Sequence, residues 1–236
     1  MLATPMHDQA NHDLLRMVPD AVRRVVEVGC SSGATGAAFL GAHPQCEYIG
    51  IEIVPEYAQA ARTRVTEVRE ADIERMERRD FEALFPVDCW IFGDVLEHLY
   101  DPWKTLRSLQ PSLADGACVV ACIPNAQHWS VQARLAVGAF EYEEAGLLDR
   151  THIRFFTRRT IVELFDSTGY EVEAIAARVF PEGPRRAQAM PAIRTLAAAM
   201  GEAPDVAERD ATPLQYVVRA RRRAPSNSRG EPWPRS

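Results

Sequence analysis

No stretch of this chain is apolar for long enough to cross a bilayer. The longest uninterrupted runs, such as ACVVACI at 117–123, fall far short of the roughly 20 residues a membrane helix needs. The first residues, MLATPMHDQANHD, lack both a positive n-region and an apolar core, so no secretory signal is expected. Positive charge is also in short supply: 27 Lys and Arg stand against 33 Asp and Glu, a net charge of −6. That balance argues against nucleic acid as a partner, which calls for a basic face, and leaves room only for a local basic pocket. The five cysteines are an odd count in a chain of ordinary size, unlike a disulfide framework. Cys118 and Cys122, if they share a strand, lie about 13 Å apart, too far for a bridge. No internal repeat is present. These absences leave a reduced, cytoplasmic protein of open oligomeric state. Its 236 residues, 47% hydrophobic, are enough for one substantial core in one domain.

What is present is an alternation of strand-like and helix-like segments. Arg24–Val28 reads as a first strand with a helix over Gly33–Leu40 behind it, and CEYIGIEI (46–53) as a second strand. Pro55 suits the first turn of the helix that follows. EVREADI (67–73) is a weaker third strand and VDCWIFGDV (87–95) a clearer fourth. Asp101 and Pro102 start a helix with Trp103, Leu106 and Leu109 on one face, and DGACVVACIPN (115–125) forms the fifth strand. Thr157 caps RRTIVELFDSTG, whose stripe is Ile161, Leu164 and Phe165 and whose stop is Gly169. YEVEAIAARVF and TPLQYVVRARR are the last strands, with one helix over about 186–200 between them, and residues 223–236 read as a disordered tail. Strands alternating with helices imply an α/β, doubly wound, Rossmann-like sheet of mainly parallel strands, with ligands beyond the carboxyl ends. The long excursion before TPLQYVVRARR lets that strand return antiparallel near an edge.

The first strand runs into VVEVGCSSGATG (25–36), where Gly29, Gly33 and Gly36 permit a tight turn, a close backbone approach to a ligand and close helix packing. An ordinary strand–turn–helix would need as much, but two carboxylates add to it. Glu27 sits at the exit of the first strand, where an unpaired buried charge would be costly. Glu52 ends the second strand, as expected for a carboxylate that bonds two ribose hydroxyls. NAD accounts for Glu52 but poorly for Glu27, since a pyrophosphate at the loop disfavours further negative charge. The spacing is also G-x-x-x-G-x-x-G, not G-x-G-x-x-G. S-adenosylmethionine carries a sulfonium and an ammonium instead, and an acidic rim suits it.

The chain resembles the class I S-adenosylmethionine-dependent methyltransferases. VVEVGCSSG is similar to their first motif, with Ser31 in place of the usual middle glycine, and IGIEI to the acidic second-strand motif. EADI, DCWIFGDVLEHLYDPW and LADGACVVACIPN are similar to the adenine-contacting, fourth-strand and fifth-strand motifs. The resemblance implies a methyltransferase domain over residues 1–222 on a seven-stranded sheet. It also implies that Glu27, Gly29, Cys30, Ser31 and Gly33 surround the methionine part of the cofactor, Glu52 and Ile53 the ribose, Asp72 and Ile73 the adenine, and that Asp94 lies near the methyl group. Asp72 reads equally as the cap of the following short helix, and Cys30 as a packing residue. The rival classes are an NAD-dependent oxidoreductase and a non-catalytic nucleotide-binding module.

Residues 124–157, rich in aromatics and without a clean period, are placed to cover the substrate. LLDRTHIRFFT within them is similar to a bacterial subgroup related to ubiquinone-pathway O-methyltransferases. That resemblance implies O-methylation of a small molecule such as a sugar, a lipid or a secondary metabolite. Arg150, Arg154 and Arg158 either grip an anionic acceptor or pair with Glu141, Glu143 and Glu144. His98 and His152 are the candidate general bases, His128 a third, since imidazole titrates near neutrality; each reads also as a structural histidine. Some methyltransferases with an EH pair after the fourth strand hold a divalent metal on such acidic-plus-histidine sets, which here would group Asp94, Glu97, His98 and His152.

Overall fold

The computed structural model describes residues 5–223. In chain order the elements are α1 (His12–Leu15), β1 (Arg24–Val28), α2 (Ala34–Ala42), β2 (Glu47–Glu52), α3 (Pro55–Ala61), β3 (Glu67–Glu70), α4 (Arg78–Glu82), β4 (Val87–Gly93), α5 (Pro102–Ser108), β5 (Leu113–Pro124), α6 (Trp129–Ala136), α7 (Arg158–Asp166), β6 (Tyr170–Arg178), α8 (Arg185–Ala199), α9 (Pro204–Ala211) and β7 (Gln215–Arg222). The seven strands form one sheet in the order β3-β2-β1-β4-β5-β7-β6. Every pairing from β3 across to β5 is parallel, whereas β7 runs antiparallel between β5 and β6. The strand order reverses between β1 and β4, so the crevice for a ligand opens where their carboxyl ends part.

The central strands are buried along their length because helices cover both faces of the sheet. One face centres on Trp90, Phe92, Phe81 and Phe165, the other on Tyr48, Phe39, Ile91 and Leu14. Helix starts follow the expected chemistry. Asp101 accepts from the Lys104 amide, Thr157 from the Thr160 amide, and Pro55 occupies the first turn of α3.

Three expectations are corrected or extended. The third strand stops at Glu70, not residue 73, because Asp72 turns the chain into a short 3₁₀ turn over Ile73–Arg75. The helix expected over 186–200 is α8, ended before Gly201 at φ +77°, and a further helix that the sequence reading did not include, α9, opens at Pro204. The covering segment contains a helix, α6, started by His128. The tail expected to be disordered lies, beyond Arg223, outside the described residues. All five cysteines are buried free thiols.

Candidate functional site

The loop after β1 is held in its shape by backbone geometry and by Glu52. Gly29, Ser31 and Gly33 have φ of +67°, +49° and +78°, the left-handed region that glycine enters freely. A Cβ at Gly29 would lie 2.7 Å from Val95 Cγ2, so the loop also passes too close to the turn after β4 for a larger residue. Buried Glu52 accepts from the Ser31 amide (2.8 Å) with one oxygen and from the Val54 amide (2.9 Å) with the other. The carboxylate therefore bolts the loop to the end of β2, and each oxygen retains acceptor capacity toward a ligand hydroxyl. Ser31, though not glycine, keeps its positive φ, and its Oγ accepts from the His7 amide (2.8 Å). The N-terminal segment crosses the loop there: Ser32 Oγ donates to the His7 carbonyl and to Asp8, which also pairs with Arg64.

Glu27 lies beneath the loop, 5% exposed, accepting a hydrogen bond from the Tyr48 hydroxyl at 3.0 Å. Burial pushes its carboxyl up to about 8, and the nearby Glu52 charge adds to the rise. Cys30 turns its side chain into the sheet against Gly50, where a Cβ would stand 2.5 Å from the sulfur; burial raises its thiol far from reactive values. Asp72 caps the 3₁₀ turn by accepting from the Glu74 amide (3.0 Å) and pairs with Arg75 at 3.2 Å. Ile73 is buried and Ile53 exposed. A cleft of 490 Å³ opens beside Ala71, Asp72 and Met76.

The exit of β4 carries a second group. Asp94, at φ +54°, accepts from the Gln215 amide group at the start of β7. Burial lifts its carboxyl to about 6, opposed by Arg178 and His7. Glu97 follows, 1% exposed, with neither carboxylate oxygen hydrogen-bonded. Burial, with Asp94 next in weight, holds its carboxyl well above the usual range. Its backbone carbonyl accepts from the Ile153 and Arg154 amides (3.0 and 2.9 Å), stitching the covering segment to this turn. His98 Nδ1 lies 3.1 Å from the Thr151 carbonyl, and His152 Nδ1 3.3 Å from the Leu147 carbonyl. A carbonyl only accepts, so both Nδ1 atoms carry the proton and both Nε2 atoms present lone pairs. His152 Nε2 is 3.9 Å from a Glu97 oxygen, and the two imidazole centres are 4.8 Å apart. Burial lowers both histidines, which keeps them neutral.

Glu97, His98 and His152 thus offer one ligand atom each within 4.8 Å of one another. Asp94, grouped with them from sequence, is turned away to Gln215. His128 is engaged elsewhere: it caps α6 and faces Glu182 at 3.0 Å. Arg150 pairs with Glu144, and Arg154 donates to the Tyr100 carbonyl beneath the Trp103 ring, so neither is a free anion clamp. Sequence reasoning overlooked Arg178 and Gln215. Their only signal was position, at the end and the start of the two antiparallel neighbours β6 and β7.

The glycine loop, the Glu52 bolt and the buried Glu27 fit S-adenosylmethionine: an open backbone, a ribose acceptor and an acidic floor beneath a cationic ligand. The comparisons agree. The methyltransferase domain family matches residues 3–175. The Archaeoglobus fulgidus S-adenosylmethionine-dependent methyltransferase superposes with a TM-score of 0.60 at 16% identity, over 89% of this chain and 92% of that one. The plantazolicin methyltransferase, solved with S-adenosylhomocysteine, gives 0.57 at 13% identity over 90% and 80%. Trans-aconitate 2-methyltransferase of Methylobacterium nodulans is 29% identical over 116 residues, 48% of this chain, and the match spans only 43% of that relative. The chain belongs to the methyltransferase domain family and shares its fold with solved S-adenosylmethionine-dependent methyltransferases.

Proposed function

We propose that the protein transfers the methyl group of S-adenosylmethionine to an oxygen of a small molecule. In this reading the backbone from Gly29 to Gly33 holds the methionine part above Glu27, Glu52 the ribose, and Asp72 with Ile73 the adenine. Transfer forms a C–O bond as the C–S bond breaks, and the electron pair returns to sulfur to leave a neutral thioether. The acceptor hydroxyl must also lose its proton. The observation that carries the reading is the pair of neutral imidazoles at the exit of β4, each with Nδ1 tied to a carbonyl and Nε2 free. A base so placed is worth about 10²–10⁴-fold, beside the alignment of acceptor, methyl and sulfur. The curated relative, named for trans-aconitate, supports a small acceptor.

A second feature favours a divalent cation at the same place. Two bare oxygens on a fully buried Glu97 form an incomplete ligand set, and His98 and His152 complete a mixed O/N group. A cation there would polarise the acceptor hydroxyl. The test is turnover of a hydroxylated acceptor by wild type, His98→Ala and His152→Ala, with S-adenosylhomocysteine affinity measured alongside and each assay repeated with EDTA and then excess Mg²⁺. Both variants should lose at least about a hundredfold in kcat with unchanged cofactor affinity. Full turnover in both removes histidine catalysis, and indifference to EDTA removes the cation.

A further inference from the structure

Where β6 ends and β7 begins, α1 closes a cleft of 370 Å³ that includes Asp13, Arg16, Met17, Arg178, Val179 and Phe180 in its lining. Its charge is unbalanced. Asp13 accepts from Arg16 Nη1 (2.7 Å) with one oxygen and from Arg178 Nε (2.9 Å) with the other, so two guanidinium groups share one carboxylate. Its wall is apolar. Val179 and Phe180 are 48% and 44% exposed, and the Arg178 guanidinium lies 5.3 Å over the Phe180 ring. The cleft also adjoins the methyl-transfer site, because Gln215 bonds Arg178 through its oxygen and Asp94 through its nitrogen.

We infer that this cleft seats the methyl acceptor and that the acceptor carries a carboxylate, bound by Arg178 and Arg16 with its body against Phe180 and Val179. The inference rests on the methyl-transfer reading and names the substrate class. Three observations support it. The two arginines already grip a carboxylate, that of Asp13, in a geometry that forks match well. Among the charged residues lining the cleft two guanidiniums stand against the one carboxylate of Asp13, which leaves donor N–H groups for a ligand's carboxylate. Two large apolar residues stay exposed at the rim of a polar pocket, the usual composition of a small-molecule site. Asp13 is then a placeholder that the acceptor's carboxylate joins or displaces, and Arg178 a residue that sets specificity and, through Gln215, helps to hold Asp94.

The test is calorimetry on the full protein saturated with S-adenosylhomocysteine, at fixed ionic strength, with tricarballylate as probe and its neutral trimethyl ester as control. Tricarballylate should bind and the ester should not. Arg178→Gln should weaken binding at least about tenfold, the loss of one charge-assisted contact. Arg16→Ala should weaken it less, and Asp13→Asn, which frees both guanidiniums, should tighten it. No tricarballylate binding, equal binding of the ester, or weakening by Asp13→Asn would overturn the inference; so would inorganic phosphate competing on equal terms. S-adenosylhomocysteine binding, measured without tricarballylate, separates the two readings. Its loss in wild type would sink the methyl-transfer reading itself, and its retention in each variant shows that the variant is folded.

Discussion

Glu27 makes a measurable demand on stability. Its carboxyl is raised from an ordinary 4.5 to about 8 by burial under the cofactor loop. The folded protein thus keeps this proton to a higher pH than the unfolded chain, so the unfolded state binds fewer protons between those two values. Stability from this site therefore falls as pH rises from about 4.5 to about 8 and is level beyond. At about 1.36 kcal/mol per unit the full swing is of the order of 5 kcal/mol, an upper figure because local relaxation and water entry reduce it. Glu27→Gln keeps the side-chain shape and an oxygen for the Tyr48 hydroxyl, and has no proton to lose. Urea unfolding of both proteins at pH 5.5, 7.0 and 8.5 measures the difference. The variant should gain on wild type by a few kcal/mol at pH 8.5 and by little at pH 5.5. A cationic donor should draw the proton off, so S-adenosylmethionine should bind with proton release at pH 7, seen as a buffer-dependent calorimetric enthalpy, and bind more weakly to the variant. Parallel unfolding curves across pH would refute the raised carboxyl, and binding heat independent of buffer would refute its link to the cofactor.

Other perturbations follow from the same geometry. Glu52→Ala removes the bolt to Ser31 and Val54 and should weaken S-adenosylmethionine by about 10–100-fold in calorimetry, the loss of charge-assisted bonds. Unchanged affinity would remove it from the ribose site. Gly29→Ala should cost about 1–2 kcal/mol in urea unfolding from its positive φ alone, and the contact with Val95 should shift the loop enough to abolish S-adenosylhomocysteine binding. Asn125, fully buried, donates to the Asp210 and Pro213 carbonyls. Asn125→Ala should cost about 1–3 kcal/mol and raise hydrogen exchange in the turn from α9 to β7, whereas an unchanged urea midpoint would show that water replaces the amide.

The fold was legible in the sequence where local chemistry and tertiary packing agree. Val25, Val26 and Val28 make a strand by propensity and by burial, and Asp101, Pro102 and Thr157 mark helix starts through bonds within one turn. The antiparallel return of the last strand was also foreseeable from the length of chain before it. Legibility failed where one residue outweighs its window. Beyond Gly201 a short second helix, α9, was not foreseen because Pro204 and the acidic run after it carry only a weak apolar stripe, and Asp72 ends a strand early by bonding the Glu74 amide. In the site, the loop glycines, Glu27 and Glu52 announced themselves because such residues are expensive inside a strand. Arg178 and Gln215 lie 37 residues apart and Asp94 more than 80 residues before either, and the three meet only through the crossing of β7. No local pattern encodes that meeting.

That crossing has a consequence for how the molecule is made. β7, last in sequence among the strands of the described residues, is not last in space; it separates β5 from β6 and supplies the Gln215 that bonds Asp94. During synthesis the loop after β1 and strands β1 to β4 find their partners as β5 emerges, while β5 waits with an open edge and β6 has no neighbour to bond. A chain ended at Leu214 would keep every residue of the glycine loop, Glu52, Glu97 and both histidines, yet expose two unsatisfied strand edges and lose the floor beneath Asp94. The early part of the chain lays out the loop, and β7 closes the sheet between β5 and β6, so only a chain extended through β7 satisfies both of those strand edges.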